Sequence, residues 1–129
     1  MAYSDKVLDH FHHPRNIGEI AQANATAEAS NPMCGDVMKL SVRVSEGRLT
    51  EVKFKAQGCI PAIACGSWLA EWLKGKSLSE IRGLTALQIE SGLRGLPVAS
   101  RHASVLAVDT LNKLLRSLSE ADQGDRAKL

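Results

Sequence analysis

Two stretches of alternating residues in the middle of the chain predict an antiparallel β-hairpin. Residues 38–45 alternate between apolar and polar side chains, and so do residues 49–56. The Glu46-Gly47-Arg48 segment between them has the composition of a turn. The inward-facing side chains are Met38, Leu40, Val42, Val44, Val52, Phe54 and Ala56. Because successive strand side chains point to opposite faces, one face of the hairpin is exposed to solvent and the apolar face must be buried by other elements.

The residues that follow the hairpin have helical patterns and predict that cover. Pro61 suits the first turn of a helix that starts just after Cys59. Capping-box sequences at residues 77–80 (Ser-Leu-Ser-Glu) and 85–88 (Thr-Ala-Leu-Gln) predict two short helices. The helix that starts after Cys59 has an apolar stripe of Cys65, Leu69, Trp72 and Leu73. Cys65 is therefore interpreted as a core residue, because a free cysteine behaves as a small hydrophobe.

The two ends of the chain complete the predicted fold. A short helix is expected over residues 4–12 and a weak strand over residues 24–29. A long helix is expected from about Ser100 to Ser117, and the polar residues 119–129 are expected to fray. The apolar stripe of the long helix is formed by Val105, Val108, Leu111, Leu115 and Leu118. We therefore predict one α+β domain over residues 1–129, a three-stranded antiparallel sheet with helices packed on one face.

Composition narrows the class of protein. The chain has 129 residues and a formal net charge of +2, without a basic block, which argues against nucleic-acid binding. Three cysteines are an odd number, so a reducing compartment is expected rather than a disulfide framework. The first residues lack the features of a signal peptide, and no apolar run approaches the roughly 20 residues of a membrane span. We expect a cytoplasmic protein that binds neither nucleic acid nor membranes.

Four residues have side chains that can bind a metal and lie at turns or helix starts, where such side chains can be presented. Cys34 and Asp36 lie in a Cys-Gly-Asp turn, where glycine lets the thiolate and the carboxylate face one point. Cys59 lies at a helix start, where unsatisfied N–H groups favour a thiolate, although a structural cysteine is an equal alternative. His102 heads the last helix and offers an imidazole, but a lone histidine is more often a boundary residue. Our interpretation is that these four side chains meet at one end of the domain and hold a metal.

His10, His12 and His13 form a second group of metal-binding side chains near the start of the chain. A second metal site is one interpretation of this group. We interpret it instead as the solvated end of the first helix.

These pieces, taken in order, resemble the IscU/NifU-type iron–sulfur cluster assembly scaffold family over residues 3 to about 115. The motifs that carry the resemblance are Tyr-Ser-Asp-Lys-Val-Leu-Asp-His at 3–10, Pro-Arg-Asn-Ile-Gly at 14–18, Asn-Pro-Met-Cys-Gly-Asp-Val-Met-Lys-Leu at 31–40, Gly58-Cys59, Glu-Trp-Leu-Lys-Gly-Lys-Ser-Leu at 71–78, Leu96-Pro97 and His102. The resemblance implies the fold of the IscU/NifU N-terminal domain, which is also SufE-like.

The resemblance also implies a site. Cys34 matches the family's first cysteine, Asp36 its aspartate, Cys59 its second cysteine and His102 its histidine. The family's third cysteine follows that histidine, and here the position is Ala103. The implied cofactor is a labile [2Fe–2S] cluster or Zn²⁺. The implied partners are a cysteine desulfurase, an iron donor and apo iron–sulfur acceptor proteins.

The chain also departs from the family in its chaperone-recognition stretch. Where the family has Leu-Pro-Pro-Val-Lys, residues 96–100 read Leu-Pro-Val-Ala-Ser. This difference counts against a chaperone interaction.

Three functional hypotheses follow. The first is an iron–sulfur cluster scaffold or carrier, not an enzyme in the turnover sense, which binds a cluster more weakly because one thiolate is missing. The second is a zinc-bound sulfur acceptor for a cysteine desulfurase, with Cys59 or Cys34 as the nucleophile. The third is a non-catalytic interaction module with a vestigial site.

Overall fold

The computed structural model describes residues 3–127, with side chains through Ser119, and contains a three-stranded antiparallel sheet and helices. The elements in chain order are α1 (Asp5–His12), β1 (Ala25–Ser30), β2 (Val37–Ser45), β3 (Arg48–Gln57), α2 (Ile60–Leu73), α3 (Leu78–Ile81), α4 (Ala86–Gly92), a 3₁₀ turn (Val98–Ser100) and α5 (Arg101–Ala127). The predicted α+β class is confirmed. None of the described helices is both long and apolar enough to cross a membrane.

The hairpin register brings two loops to one end of the sheet. The β2–β3 turn consists of Glu46 and Gly47, whose φ values of 53° and 75° are both left-handed, as a type I′ turn requires. From this turn the antiparallel pairing runs to Val37 opposite Gln57. On its other side, β2 pairs with β1, where Ser30 lies opposite Val37. The β1–β2 loop and the start of α2 therefore lie at the same end of the sheet.

Helices α2 and α5 cover the apolar face of the hairpin, as the sequence predicts. At Gly66 of α2, an added Cβ would come within 2.6 Å of the Phe54 ring, so glycine allows the helix to lie directly on β3. Cys65 is completely buried beside it, which places it in the core. Both predicted capping boxes are present, at Ser77 before α3 and at Thr85 before α4.

The predicted apolar stripe of the last helix is correct in part, because Leu111 is buried and Val108, Leu115 and Leu118 pack against the core. Val105 was expected in the apolar stripe, but it is 51% exposed. Within the described residues, the buried face of α5 consists of Ala103, Ser104, Leu106, Ala107, Thr110, Leu111 and Leu114. The prediction counted only large apolar residues, whereas alanines and a threonine occupy much of the buried face. The Thr110 hydroxyl is tolerated there because it donates to the Leu106 carbonyl at 2.8 Å.

The predicted end of the last helix is wrong. The helix was expected to stop near Ser117, but α5 continues to Ala127. The side chains from residue 120 onward and residues 128–129 lie outside the described residues. The single-domain extent of 1–129 stays a prediction.

His10 corrects the interpretation of the N-terminal histidines. His12 and His13 are exposed, as expected of a helix end, but His10 is completely buried. Its Nδ1 lies 2.8 Å from the hydroxyl of Ser67 on α2. The same Ser67 oxygen accepts the Arg15 N–H at 2.9 Å. This contact attaches α1 to α2, and it depends on tertiary packing that local sequence does not reveal.

The buried position of His10 predicts a pH dependence of stability. Burial, the largest cause, and the charge of Arg15 lower the pKa of His10 from its ordinary value of 6.5. Below about pH 6.5 the unfolded state therefore binds more protons than the folded state, and the free energy of unfolding falls as the pH decreases, by up to about 1.4 kcal/mol per unit. Above this value the contribution is fully present. Urea unfolding between about pH 7.5 and 5.5 measures the slope.

The control for this prediction is His13→Gln, which removes an exposed histidine and should keep the slope. Charged groups near His10 also include Lys6, Asp9 and Glu71, whose effects on its pKa are smaller than that of burial. His10→Gln should remove most of the fall in stability over this pH range. An unchanged slope in His10→Gln would show that His10 is not its source.

Candidate metal centre

The β1–β2 loop is a compact turn that presents Cys34 at its tip. The Asn31 side chain accepts the Met33 N–H at 3.0 Å, and its backbone carbonyl accepts the Gly35 N–H at 2.8 Å. The Asn31 N–H in turn donates to the carbonyl of Asp36 at 2.8 Å, which closes the loop. Gly35 has a φ of 77°, a left-handed conformation that suits glycine. Cys34 is exposed, whereas Asp36 is only 4% exposed.

Gly58 provides the space for the Asp36 carboxylate. Because Val37 pairs with Gln57, the next residue on each strand places Asp36 beside Gly58. A Cβ at position 58 would overlap the Oδ1 atom of Asp36, and the φ of Gly58 is 145°. The Asp36 carboxylate takes the room that glycine leaves at this position.

Cys59 is the N-cap of α2, and its Sγ lies 3.1 Å from Oδ2 of Asp36. Burial is the largest cause that raises the pKa of Cys59 to about 11, and the hydrogen bond to Asp36 raises it further. The N–H groups of Ala62 and of Cys59 itself lower the pKa, as expected at a helix start, but they are outweighed. The helix start therefore favours the thiolate as expected, but burial and Asp36 keep the pKa of Cys59 above its ordinary value in the metal-free protein.

His102 faces the same point from the first turn of α5. Its Nδ1 lies 3.1 Å from the Ala99 carbonyl, which can only accept, so Nδ1 carries the proton. The Nε2 lone pair is then free, 3.6 Å from Oδ2 of Asp36 and 3.7 Å from Sγ of Cys59. A carbonyl that fixes the tautomer in this way is a common support for a metal-binding histidine. Nothing in the sequence pattern identified Ala99 for this role.

The structure brings the four predicted side chains to one end of the sheet, in two overlapping groups of three that share Asp36 and His102. Ligand atoms of Cys34, Asp36 and His102 lie within 4.8 Å of one another. Those of Asp36, Cys59 and His102 lie within 3.7 Å of one another. Two sulfurs, one imidazole nitrogen and one carboxylate oxygen form a donor set that suits four-coordinate zinc or iron. That they bind a metal stays a prediction.

Ala103 and Cys65 lie outside this group. Ala103 directly follows His102, but it is completely buried, because neighbouring helical residues point about 100° apart. Cys65 is also buried, and burial raises the pKa of its thiol, with smaller contributions from Cys59 and Glu90. Neither residue is among those that meet at the site.

The fold and the site define a class of small α+β domain with thiol, carboxylate and imidazole side chains at one end of its sheet. Residues 2–122 match the family model described as the NifU-like N terminal domain. The chain is 41% identical over 113 residues to the iron–sulfur cluster assembly scaffold protein IscU 1 of Archaeoglobus fulgidus, covering 88% of this chain and 74% of that protein. It is 42% identical over 120 residues to the IscU of Azotobacter vinelandii, covering 90% and 93%.

A structural comparison agrees with these matches. The crystal structure of a nitrogen-fixing NifU-like protein (N-terminal) from Brucella abortus superposes with a TM-score of 0.75 at 20% identity, covering 91% of this chain and 94% of that one. This likeness shows the fold. The chain belongs to the NifU-like N-terminal domain family, which confirms the resemblance seen in the sequence.

The contact between Asp36 and Cys59 predicts a change in thiol reactivity. In metal-free protein, Asp36→Asn removes the negative charge beside the thiol, so the pKa of Cys59 should fall from about 11 towards the ordinary value of 9.0. Alkylation of Cys59 by iodoacetamide should then speed up by about tenfold for each unit by which the pKa falls. The measurement is the alkylation rate against pH, resolved by peptide. Glu28→Gln is the control and should leave the rate unchanged. A Cys59 rate that Asp36→Asn does not alter would contradict the prediction.

The overlap at position 58 predicts a selective loss of metal binding. Gly58→Ala and Gly47→Ala both place alanine at a positive φ, so each should cost about 1–3 kcal/mol of stability. At Gly47 the described residues leave open space around the added Cβ, whereas at Gly58 the Asp36 carboxylate must move. Only Gly58→Ala should weaken Co²⁺ binding, on the order of 10–100-fold. Equal Co²⁺ affinities in the two variants would show that the overlap is relieved elsewhere.

Proposed function

We propose that this protein is an iron–sulfur cluster assembly scaffold or carrier, which binds iron and sulfide at its donor group and passes the cluster to acceptor proteins. The observation that carries the proposal is the convergence of Cys34, Asp36, Cys59 and His102 at one end of the sheet. Relatives at 41–42% identity are named iron–sulfur cluster assembly scaffold proteins. The role is one of assembly and transfer rather than enzymatic turnover.

The donor set supports a labile cluster as cargo. Cys34 and Cys59 would hold iron through sulfur, and His102 and Asp36 would complete the coordination through nitrogen and oxygen. Histidine replaces thiolate on iron in Rieske centres, so a mixed donor set is compatible with a [2Fe–2S] cluster. The exposed Cys34 gives partner proteins access to the site. Such partners would be a cysteine desulfurase, an iron donor and apo iron–sulfur proteins.

The three cysteines of the chain are all free, at positions 34, 59 and 65. Free thiols suit the reducing cytoplasm, which the proposal gives as the location of the protein.

A second candidate function is favoured by Ala103. With this residue buried and without a thiol, the sulfurs near Asp36 and His102 are those of Cys34 and Cys59, a number that suits a single tetrahedral Zn²⁺. The protein would then be a zinc-bound sulfur acceptor for a cysteine desulfurase, with Cys59 or Cys34 taking the sulfur. The two candidates differ in what they retain, a cluster in the first and zinc with a persulfide in the second.

The test is anaerobic reconstitution. Purified protein receives ferrous iron, a cysteine desulfurase and cysteine, while the visible spectrum is recorded and bound zinc and iron are measured. A scaffold should develop a sulfide-to-iron charge-transfer band that is lost in Cys34→Ser and in Cys59→Ser. Cys65→Ala is the matched control, because it removes a buried thiol outside the donor group and should keep the band.

The other outcomes decide between the remaining candidates. Tight zinc, no band and a persulfide on Cys59 or Cys34 would establish the sulfur acceptor instead. If no cluster, zinc or persulfide is found, the protein is an interaction module with a vestigial site.

A further inference from the structure

The buried carboxylate of Glu90 on α4 contacts the first turn of α5. Its side chain is only 10% exposed. Oε2 lies 2.9 Å from the Ser104 hydroxyl, whose proton it shares with the Arg101 carbonyl at 2.9 Å, and Oε1 lies 3.3 Å from Nε of Arg101. These two partners lie on either side of His102 in the sequence. One carboxylate thus contacts the helical turn from which His102 projects.

The backbone of Glu90 fixes the other end of the same segment. Its carbonyl accepts the Gly95 N–H at 2.7 Å and the Leu93 N–H at 3.2 Å, which ends α4. The connector of residues 94–100 leaves from this point and leads into α5. Glu90 therefore holds the beginning of the connector with its carbonyl and the end with its carboxylate. Within the connector, the Ala99 carbonyl accepts the Nδ1 proton of His102.

The free-energy cost of burying a charge explains why the Glu90 contacts should hold the first turn of α5 in one position. A carboxylate removed from water is costly unless hydrogen bonds and an opposite charge compensate it. Arg101 and Ser104 provide both, and the N-terminus of α5 adds a favourable dipole. A movement of the first turn of α5 would leave the Glu90 carboxylate buried without its partners. The turn is therefore held in one place.

We propose that Glu90 is a positioning residue for His102: it clamps the connector and the first turn of α5, and so directs Nε2 of His102 towards Asp36 and Cys59. The proposal rests on the proposed function only in taking His102 as a metal ligand. Glu90 itself does not contact the donor group and acts through the helix turn.

The test measures Co²⁺ affinity by titration of the metal-free protein, with the Co²⁺ absorption spectrum as the readout of the donor set. Glu90→Ala should weaken Co²⁺ binding by about tenfold, as expected when the support of a metal ligand is lost. In a His102→Ala background the same change should have no further effect. Glu90→Gln, which keeps an oxygen acceptor for Ser104, should restore part of the affinity.

A matched control is Glu80→Ala. Glu80 also contacts a serine and an arginine, Ser77 and Arg48, but it belongs to the capping box of α3. This variant should lose stability without any change in Co²⁺ affinity. If Glu90→Ala keeps the wild-type affinity, or weakens binding equally with and without His102, then Glu90 does not position the histidine.

A second readout separates this proposal from the proposed function. Long-range ¹H–¹⁵N spectra of the metal-free protein report the tautomer of His102 directly. The wild type should show Nδ1–H, and Glu90→Ala should show a mixture of tautomers as the bond to Ala99 loosens. If the wild type assembles no cluster but Glu90→Ala still changes the tautomer of His102, the proposed function is overturned and the role of Glu90 is supported. Unchanged His102 signals in Glu90→Ala would overturn the role of Glu90 alone.

Discussion

The pairing of β2 with β3 is the constraint on which the candidate site depends. Val37 lies opposite Gln57, so Asp36 and Gly58 meet just beyond the last pair, and Cys59 follows at the start of α2. A slip of one residue would turn every strand side chain to the other face and would separate the carboxylate from the space that glycine leaves for it. The two-residue turn at Glu46 and Gly47, together with a one-residue shift in the pairing between Arg43 and Val44, sets this register from the far end of the hairpin.

The site places a buried carboxylate against a half-buried thiol. Asp36 is buried beside the Cys59 thiol, and together with burial it raises the thiol pKa, so in the metal-free protein the sulfur holds its proton. A divalent cation would reverse this balance, because it stabilises the thiolate and the carboxylate at once. Metal binding should therefore release protons and become tighter as the pH rises. The features that suppress the free nucleophile are the same ones that suit a cation.

The sequence predicted those parts of the fold and the site that local patterns control. The alternation over residues 38–56 and the two capping boxes each depend on neighbours in the chain, and the structure has both. Burial of His10, exposure of Val105 in α5 and the clamp at Glu90 depend on which surfaces pack together. Small or polar residues fill these positions, namely alanines and Thr110 in α5 and Ser67 and Ser104 as partners, so an apolar periodicity does not show them. The meeting of the four site residues was reached through resemblance to a family, because spacing alone does not connect His102 to Cys34.

The two halves of the site are supported independently, and this ties metal binding to folding. Register and Gly58 place Asp36 and Cys59 from the sheet side, whereas the connector after α4 places His102 from the helix side. The halves come together only when α5 is packed on the sheet. A ligand that binds the complete donor group and not the separated halves stabilises the packed state in proportion to its affinity and concentration. Release of such a ligand would in turn be favoured by any partner that loosens the packing of α5. The arrangement thus provides a physical route by which a cargo could be held firmly in the folded domain and given up on contact with an acceptor.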